Sequence, residues 1–191
     1  MSLRIEDIIL KLYQKDPYLG PLCFVDTETT GLEKTARIIE IGAICTSYDG
    51  FNVHFSMFEE LINPGFAVSD KITEITGITN EELSKARGDE VYTDFHRWVI
   101  QNAPTKCVAH NAAFDKRMFE YNLIRTGFGM FLPNFDCTMR LAQKYLTGPK
   151  ANNLKVLSEW FNFKNTQAHR ALSDTETCAH VYAKILLGEY E

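Results

Sequence analysis

Apolar side chains at Leu3, Ile5, Ile8, Ile9 and Leu12 recur at the three-and-four spacing of one helix face, so a leading helix is expected over 3–15, ending at Asp16-Pro17. The stretches 21–26 and 37–47 are apolar on both alternating faces, the latter through Ile38, Ile39, Ile41, Ala43 and Ile44. Such runs suit strands covered on two sides. Tyr48-Asp49-Gly50 is a turn signal leading into 51–62, so the second and third strands should pair as a hairpin. Gly77 halts a short helix over 72–76, and Thr79 with Glu82 three residues later has the form of a capping box for the next. Val91, Phe95, Trp98 and Val99 predict a helix over 90–102. A short strand at 106–109 enters His110-Asn111-Ala112-Ala113-Phe114-Asp115, after which Met118, Phe119, Leu123 and Ile124 mark a helix stopped by Gly127. Three more helical stretches follow at 137–146, 153–161 and 171–187. A hairpin followed by strand–helix alternation implies a mixed sheet covered by helices. Phe24, Trp98, Trp160 and Phe161 fall in apolar periodic segments and are expected in the core.

Length and composition narrow the class. A chain of 191 residues, 45% hydrophobic, can bury one sizeable core, so a single domain over 1–191 is expected, with a leading helix at 1–16 and a core at 21–187. The start lacks a basic flank followed by an apolar stretch, and no run approaches the ~18 to 20 apolar residues of a membrane span. A soluble, cytoplasmic protein with no membrane partner is the expectation. Five scattered cysteines without a CxxC pair read as buried, reduced thiols. The net charge of −5 does not announce a nucleic-acid binder, although acidic ligands that hold cations would remove much of that excess.

The candidate chemistry starts at Asp26-Thr27-Glu28, which closes an apolar run and opens onto a turn at Gly31. Side chains at i and i+2 of a strand share a face, so Asp26 and Glu28 can converge on one hard cation. Asp115 opens the helix after the fourth strand, and Asp174 lies early in the last helix, five residues after His169. Four carboxylates and one imidazole can thus meet at one edge of the sheet. Oxygen-rich sites suit Mg²⁺ or Mn²⁺ and disfavour zinc. Two such ions roughly 3.5 to 4 Å apart stabilise both oxygens of an in-line phosphodiester displacement. Taken singly these residues have ordinary readings: a solvated strand end, a first-turn acid favoured by the helix dipole, a surface histidine. Their joint occurrence at fixed spacing argues for chemistry. Glu40, inside Ile39-Glu40-Ile41-Gly42, reads as a structural acid in a hydrogen-bonded network.

Phe24 to Leu32, Val108 to Asp115 and His169-Arg170-Ala171-Leu172-Ser173-Asp174 resemble the three motifs of the DEDDh superfamily of 3'-5' exonucleases, most of all its epsilon-type proofreading and exonuclease X-type branches. Ile75 to Thr79 and Phe135 to Thr138 are similar to family segments as well, so the resemblance extends over about 21–187. It implies an α/β fold, a ribonuclease H-like mixed five-stranded sheet flanked by helices. It implies two Mg²⁺ (or Mn²⁺) ions, with Asp26 shared between them, Glu28 and Asp174 on the first and Asp115 on the second. His169 would be the general base that takes a proton from the attacking water, releasing nucleoside 5'-monophosphates. Thr27, Thr29, Thr30, Gly31, Leu32, Ile75, Thr76, His110, Asn111 and Phe114 would face the substrate, a nucleic acid with a free 3' end. For His110 a structural role at the strand's exit stands beside the substrate role. DNA is favoured over RNA on resemblance alone, since the motifs carry no feature that senses the 2'-hydroxyl. The same fold could instead serve as an adaptor on a polymerase, and epsilon-type domains suggest a DNA polymerase partner. Lys116, Arg117, Arg140, Lys144, Lys150, Lys155 and Arg170 are basic residues near the motifs that could guide the strand.

Overall fold

The strand that carries Asp26 and Glu28 is the middle of the sheet. In this computed structural model, which describes residues 4–165 and 167–189, β1 (Leu22–Thr29) is fully buried from Leu22 to Val25. It pairs antiparallel with β2 (Ile38–Tyr48), which pairs antiparallel with β3 (Val53–Leu61). On its other side β1 pairs parallel with β4 (Lys106–Ala109), and β4 parallel with β5 (Phe135–Cys137), giving the order β3-β2-β1-β4-β5.

Period-two alternation divides the core. Leu22 and Phe24 face one layer with Ile8, Ile9 and Leu12 of α1 (Ile5–Lys15) and Ala179 and Tyr182 of α8 (Ala171–Leu187). Cys23 and Val25 face the other, with Phe95 of α4 (Val91–Asn102) and Phe119 of α5 (Ala112–Arg125). Each fully buried Phe, Leu or Ile contributes about 1.5–3 kcal/mol, so the mixed sheet is held from both faces. The leading helix is bound in: the Tyr13 hydroxyl donates to the Thr46 carbonyl at 2.9 Å, and Lys15 donates to the Leu186 and Leu187 carbonyls at the end of α8. Between β3 and α4 lie α2 (Asp70–Thr76) and α3 (Asn80–Lys85), the latter opened by the expected Thr79–Glu82 capping box. After β5 come α6 (Thr138–Tyr145) and α7 (Leu154–Trp160).

Three expectations shift. The first strand runs on to Thr29 because β2 continues to pair with it, Glu28 opposite Glu40, before an irregularity between Glu28 and Thr29. Trp160 is not core: as the last residue of α7 it is 43% exposed, whereas Phe24 and Phe161 are buried. Trp98 is half-buried, its indole donating to the Ser56 hydroxyl at 2.8 Å. Leu3 lies outside the described residues. The five cysteines are free, and no helix among the described residues is long and apolar enough to cross a membrane.

Candidate active site

The carboxyl ends of β1 and β4 lie at the same edge of the sheet because the two strands are parallel. The helix that follows β4 therefore starts beside the end of β1. Asp115, in the first turn of α5 and only 3% exposed, accepts a hydrogen bond from the Thr27 hydroxyl at 3.0 Å. Thr27 points to the α5 side of the strand, while its neighbours Asp26 and Glu28 point to the α8 side.

The start of α8 is brought to this edge by β2. Gly42 lies opposite Asp26, and a Cβ placed there would come within 2.2 Å of the Ala171 carbonyl carbon, so glycine lets the helix approach. The Thr175 hydroxyl donates to the Gly42 carbonyl at 2.9 Å. Two residues earlier, the fully buried Glu40 carboxylate accepts from the Ala171 N–H at 2.8 Å and from Nε and Nη2 of Arg170 at 3.0 and 2.6 Å. Arg170 is thus engaged in this pairing, contrary to its expected part in guiding a strand. Just before it, His169 is exposed and takes a left-handed backbone with φ of 64°. That geometry turns its N–H onto one oxygen of Asp174 at 3.0 Å, while the Asn165 amide donates to the other.

Donor atoms of Glu28, His169 and Asp174 all lie within 4.8 Å of one another. Asp26 and Asp115 belong to the same group electrostatically. Burial, and then the nearby carboxylates of Asp115, Asp174, Glu28 and Glu40, push the Asp26 carboxyl well above its ordinary range. Burial raises Glu28 to about 8, helped by Asp174, Glu40 and Asp115 and opposed by Arg170. Asp115 is raised to about 7 by burial, against the Thr27 hydrogen bond. Asp174 is raised by burial, with the Asn165 bond working the other way. Acids forced together in this manner lower their energy by holding a proton or a cation. An all-oxygen set with one imidazole at its rim fits a hard divalent ion such as Mg²⁺ or Mn²⁺.

Beside the acids lies a cleft of about 520 Å³ bordered by Thr27 to Glu33 and by Ser69, Lys71, Ile72, Ile75, Thr76 and Phe114. Leu32, 80% exposed, and Ile75, 45% exposed, flank it with Phe114. Arg117 lies over the Phe114 ring, 5.4 Å from its centre, and donates to the Leu32 carbonyl at 3.2 Å. Thr29 holds the turn by donating to the Gly31 carbonyl at 2.7 Å, and the Thr30 hydroxyl accepts from the Arg37 N–H. His110 and Asn111 do not border the cleft. Instead, Nδ1 of His110 lies 2.9 Å from the Thr138 hydroxyl, and burial lowers this imidazole to about 4. The Asn111 carbonyl accepts the first N–H groups of α5, from Phe114 at 2.7 Å and Asp115 at 3.4 Å. Asn165 and Lys71 were not anticipated. Asn165 stands in an irregular stretch nine residues before Asp174, where no periodicity marks it.

Residues 23–182 match the RNase_T exonuclease family. The chain belongs to this exonuclease family. It is 34% identical over 163 residues to the PolC-type DNA polymerase III of Staphylococcus haemolyticus, covering 84% of this chain but 11% of that protein. The chain therefore spans about a tenth of the length of the curated relatives it matches. Among solved structures it resembles the nuclease domain of 3'hExo, a DEDDh family member bound to rAMP, with a TM-score of 0.78 at 16% identity over 92% of this chain and 96% of that one. It also resembles exonuclease X in complex with 5' overhanging duplex DNA, with a TM-score of 0.64 at 24% identity over 87% and 92%.

Proposed function

We propose that this chain, acting as a single exonuclease domain, shortens DNA from the 3' end one nucleotide at a time with two Mg²⁺ or Mn²⁺ ions. The observation that carries the reading is the convergence of Glu28, His169 and Asp174, whose ligand atoms lie within 4.8 Å of one another, with Asp115 acting electrostatically on Asp26 and Glu28 beside them. Asp26 would be shared between the ions, Glu28 and Asp174 would complete one shell, and Asp115 would serve the other. Bound there, such ions supply charge stabilisation to the phosphoryl oxygens and make water a better nucleophile at neutral pH.

The protein's own groups do the rest. The cleft along Thr27 to Leu32 takes the terminal nucleotide, its base between the Leu32, Ile75 and Phe114 side chains. His169, exposed at the rim, accepts the proton of the attacking water. The water oxygen bonds to phosphorus as the bond from phosphorus to the upstream O3' breaks. The released nucleotide keeps the 5'-phosphate, and the shortened strand acquires a 3'-hydroxyl when O3' takes up a proton. Asn165 and the His169 N–H hold both Asp174 oxygens in place throughout.

DNA is preferred because the curated relative is a DNA polymerase and exonuclease X was solved with duplex DNA. The match to a PolC-type protein supports action alongside a DNA polymerase, and the free cysteines support a reducing, cytoplasmic setting. The test offers matched DNA and RNA oligonucleotides, single- and double-stranded, blocked at one end or the other, with Mg²⁺. Mononucleotide release from unblocked 3' ends, faster on DNA, is expected. Release from 5' ends, internal cuts or no cleavage would refute the activity, and faster loss of RNA would refute the sugar preference.

A further inference from the structure

Glu40 is a fully buried acid outside both the acidic ligand set and the nucleotide cleft. A carboxylate is costly to remove from water unless its lone pairs are satisfied. Here the satisfaction is directional. One oxygen takes both Nε and Nη2 of Arg170, and the other takes the N–H of Ala171, the first residue of α8. Residue 40 lies directly opposite Glu28 across the β1–β2 ladder. The bonded residues immediately follow His169 and lie three and four positions before Asp174. Gly42, on the same face of β2, lets the first turn of α8 approach the sheet backbone, with the Thr175 hydroxyl closing the contact on its carbonyl. Arg170 itself is about a third exposed, so its charge would be tolerable without a buried partner, whereas that of Glu40 would not. The pairing therefore serves the location of the helix start more than the needs of the arginine.

We propose that Glu40 is a positioning residue for hydrolysis: it fixes the start of α8, and so sets where the His169 imidazole and the Asp174 carboxylate stand relative to Glu28. This rests on the reading of the site as a hydrolytic centre. A displacement of about 1 Å in a reacting constellation costs on the order of 100-fold in rate. Glu40→Gln keeps the side-chain volume but leaves one acceptor for three donors. Its kcat on a 3'-labelled DNA strand is expected to fall about 100-fold. KM should stay within about twofold, because the cleft is built by other segments, and the half-saturating Mn²⁺ concentration should rise. Both readouts are taken on protein that circular dichroism shows to be fully folded at every Mn²⁺ concentration, since partial unfolding would itself raise the apparent metal requirement.

The decisive comparison repeats Glu40→Gln in a His169→Ala background. If Glu40 acts through the start of α8, the second change costs at most about tenfold there; an independent effect would cost the same factor again. An unchanged kcat, or an equal loss in both backgrounds, overturns the proposal. Should Glu40→Gln fold poorly by circular dichroism, Arg170→Lys, which keeps a cation beside Glu40 and spares the bond to Ala171 but loses the paired Nε and Nη2 contacts, is expected to show the same split with a smaller loss. No loss in that folded variant also overturns it. Inactivity of the unaltered protein would instead overturn the hydrolytic reading itself, and this inference with it.

Discussion

Replacing Asp115 by Asn should make the metal-free protein more stable while stopping catalysis. Asp115 is 3% exposed, and its carboxyl is raised from 3.8 to about 7 mainly by burial. A carboxyl raised in the folded state favours folding below the unfolded value and loses that favour as pH rises through the folded value. By pH 8 the whole shift of about three pH units acts against folding, which at 1.36 kcal/mol per unit is about 4 kcal/mol at most. At pH 5 only about 1 to 2 kcal/mol of it is present. Asn matches the shape, carries no charge, and still offers an oxygen to the Thr27 hydroxyl. Allowing for water and side-chain relaxation, a gain of roughly 2–4 kcal/mol is expected at pH 8 in EDTA, or about 4–16 °C in Tm for a chain of this size. Thermal unfolding at pH 5 and pH 8, with and without 5 to 10 mM Mg²⁺, reads this directly. The gain should shrink at pH 5, and added Mg²⁺ should raise the Tm of the unaltered protein more than that of the variant. If Asp115→Asn is no more stable than the parent in EDTA at pH 8, burial does not penalise the Asp115 charge and the reasoning fails.

Other outcomes follow from the same geometry. Asp26→Ala should leave a folded protein without measurable shortening of a 3'-labelled strand, and near-normal activity would refute its place among the ligands. His169→Ala should lose about 10²-fold or more in kcat. His180→Ala, which removes a buried ring stacked on Phe163, should lower Tm but not kcat per folded molecule; equal losses in kcat would refute the choice of base. EDTA should silence the protein, and Mg²⁺ or Mn²⁺ should restore it, whereas restoration by zinc alone would point to a different centre.

Most of the scaffold was legible because it rests on local patterns. The doubly apolar run at Leu22 to Val25 could only be a covered strand, the spacing of Ile5, Ile8, Ile9 and Leu12 a helix face, and Thr79 with Glu82 a helix start. The four acids and His169 stand out in the chain through their joint occurrence, and of these the structure brings Glu28, His169 and Asp174 within reach of one another. What escaped depends on long-range placement. β5, at Phe135–Cys137, is too short for any periodicity to mark it. Arg170 reads as a free cation until Glu40, 130 residues away, is found beneath it. Trp160 continues an apolar pattern, but α7 ends there and leaves the ring at the surface. Asn165 owes its role to a loop that returns to Asp174, and no pattern in the chain announces that.

On this reading the acids at the end of β1 hold a pair of divalent ions. Crystals grown with Mn²⁺ and the product, a nucleoside 5'-monophosphate, and measured at the manganese absorption edge would show whether they do. Two anomalous peaks roughly 4 Å apart are expected, touched by oxygens of Asp26, Glu28, Asp115 and Asp174. Peaks elsewhere on the surface, or none at this edge at saturating Mn²⁺, would contradict it.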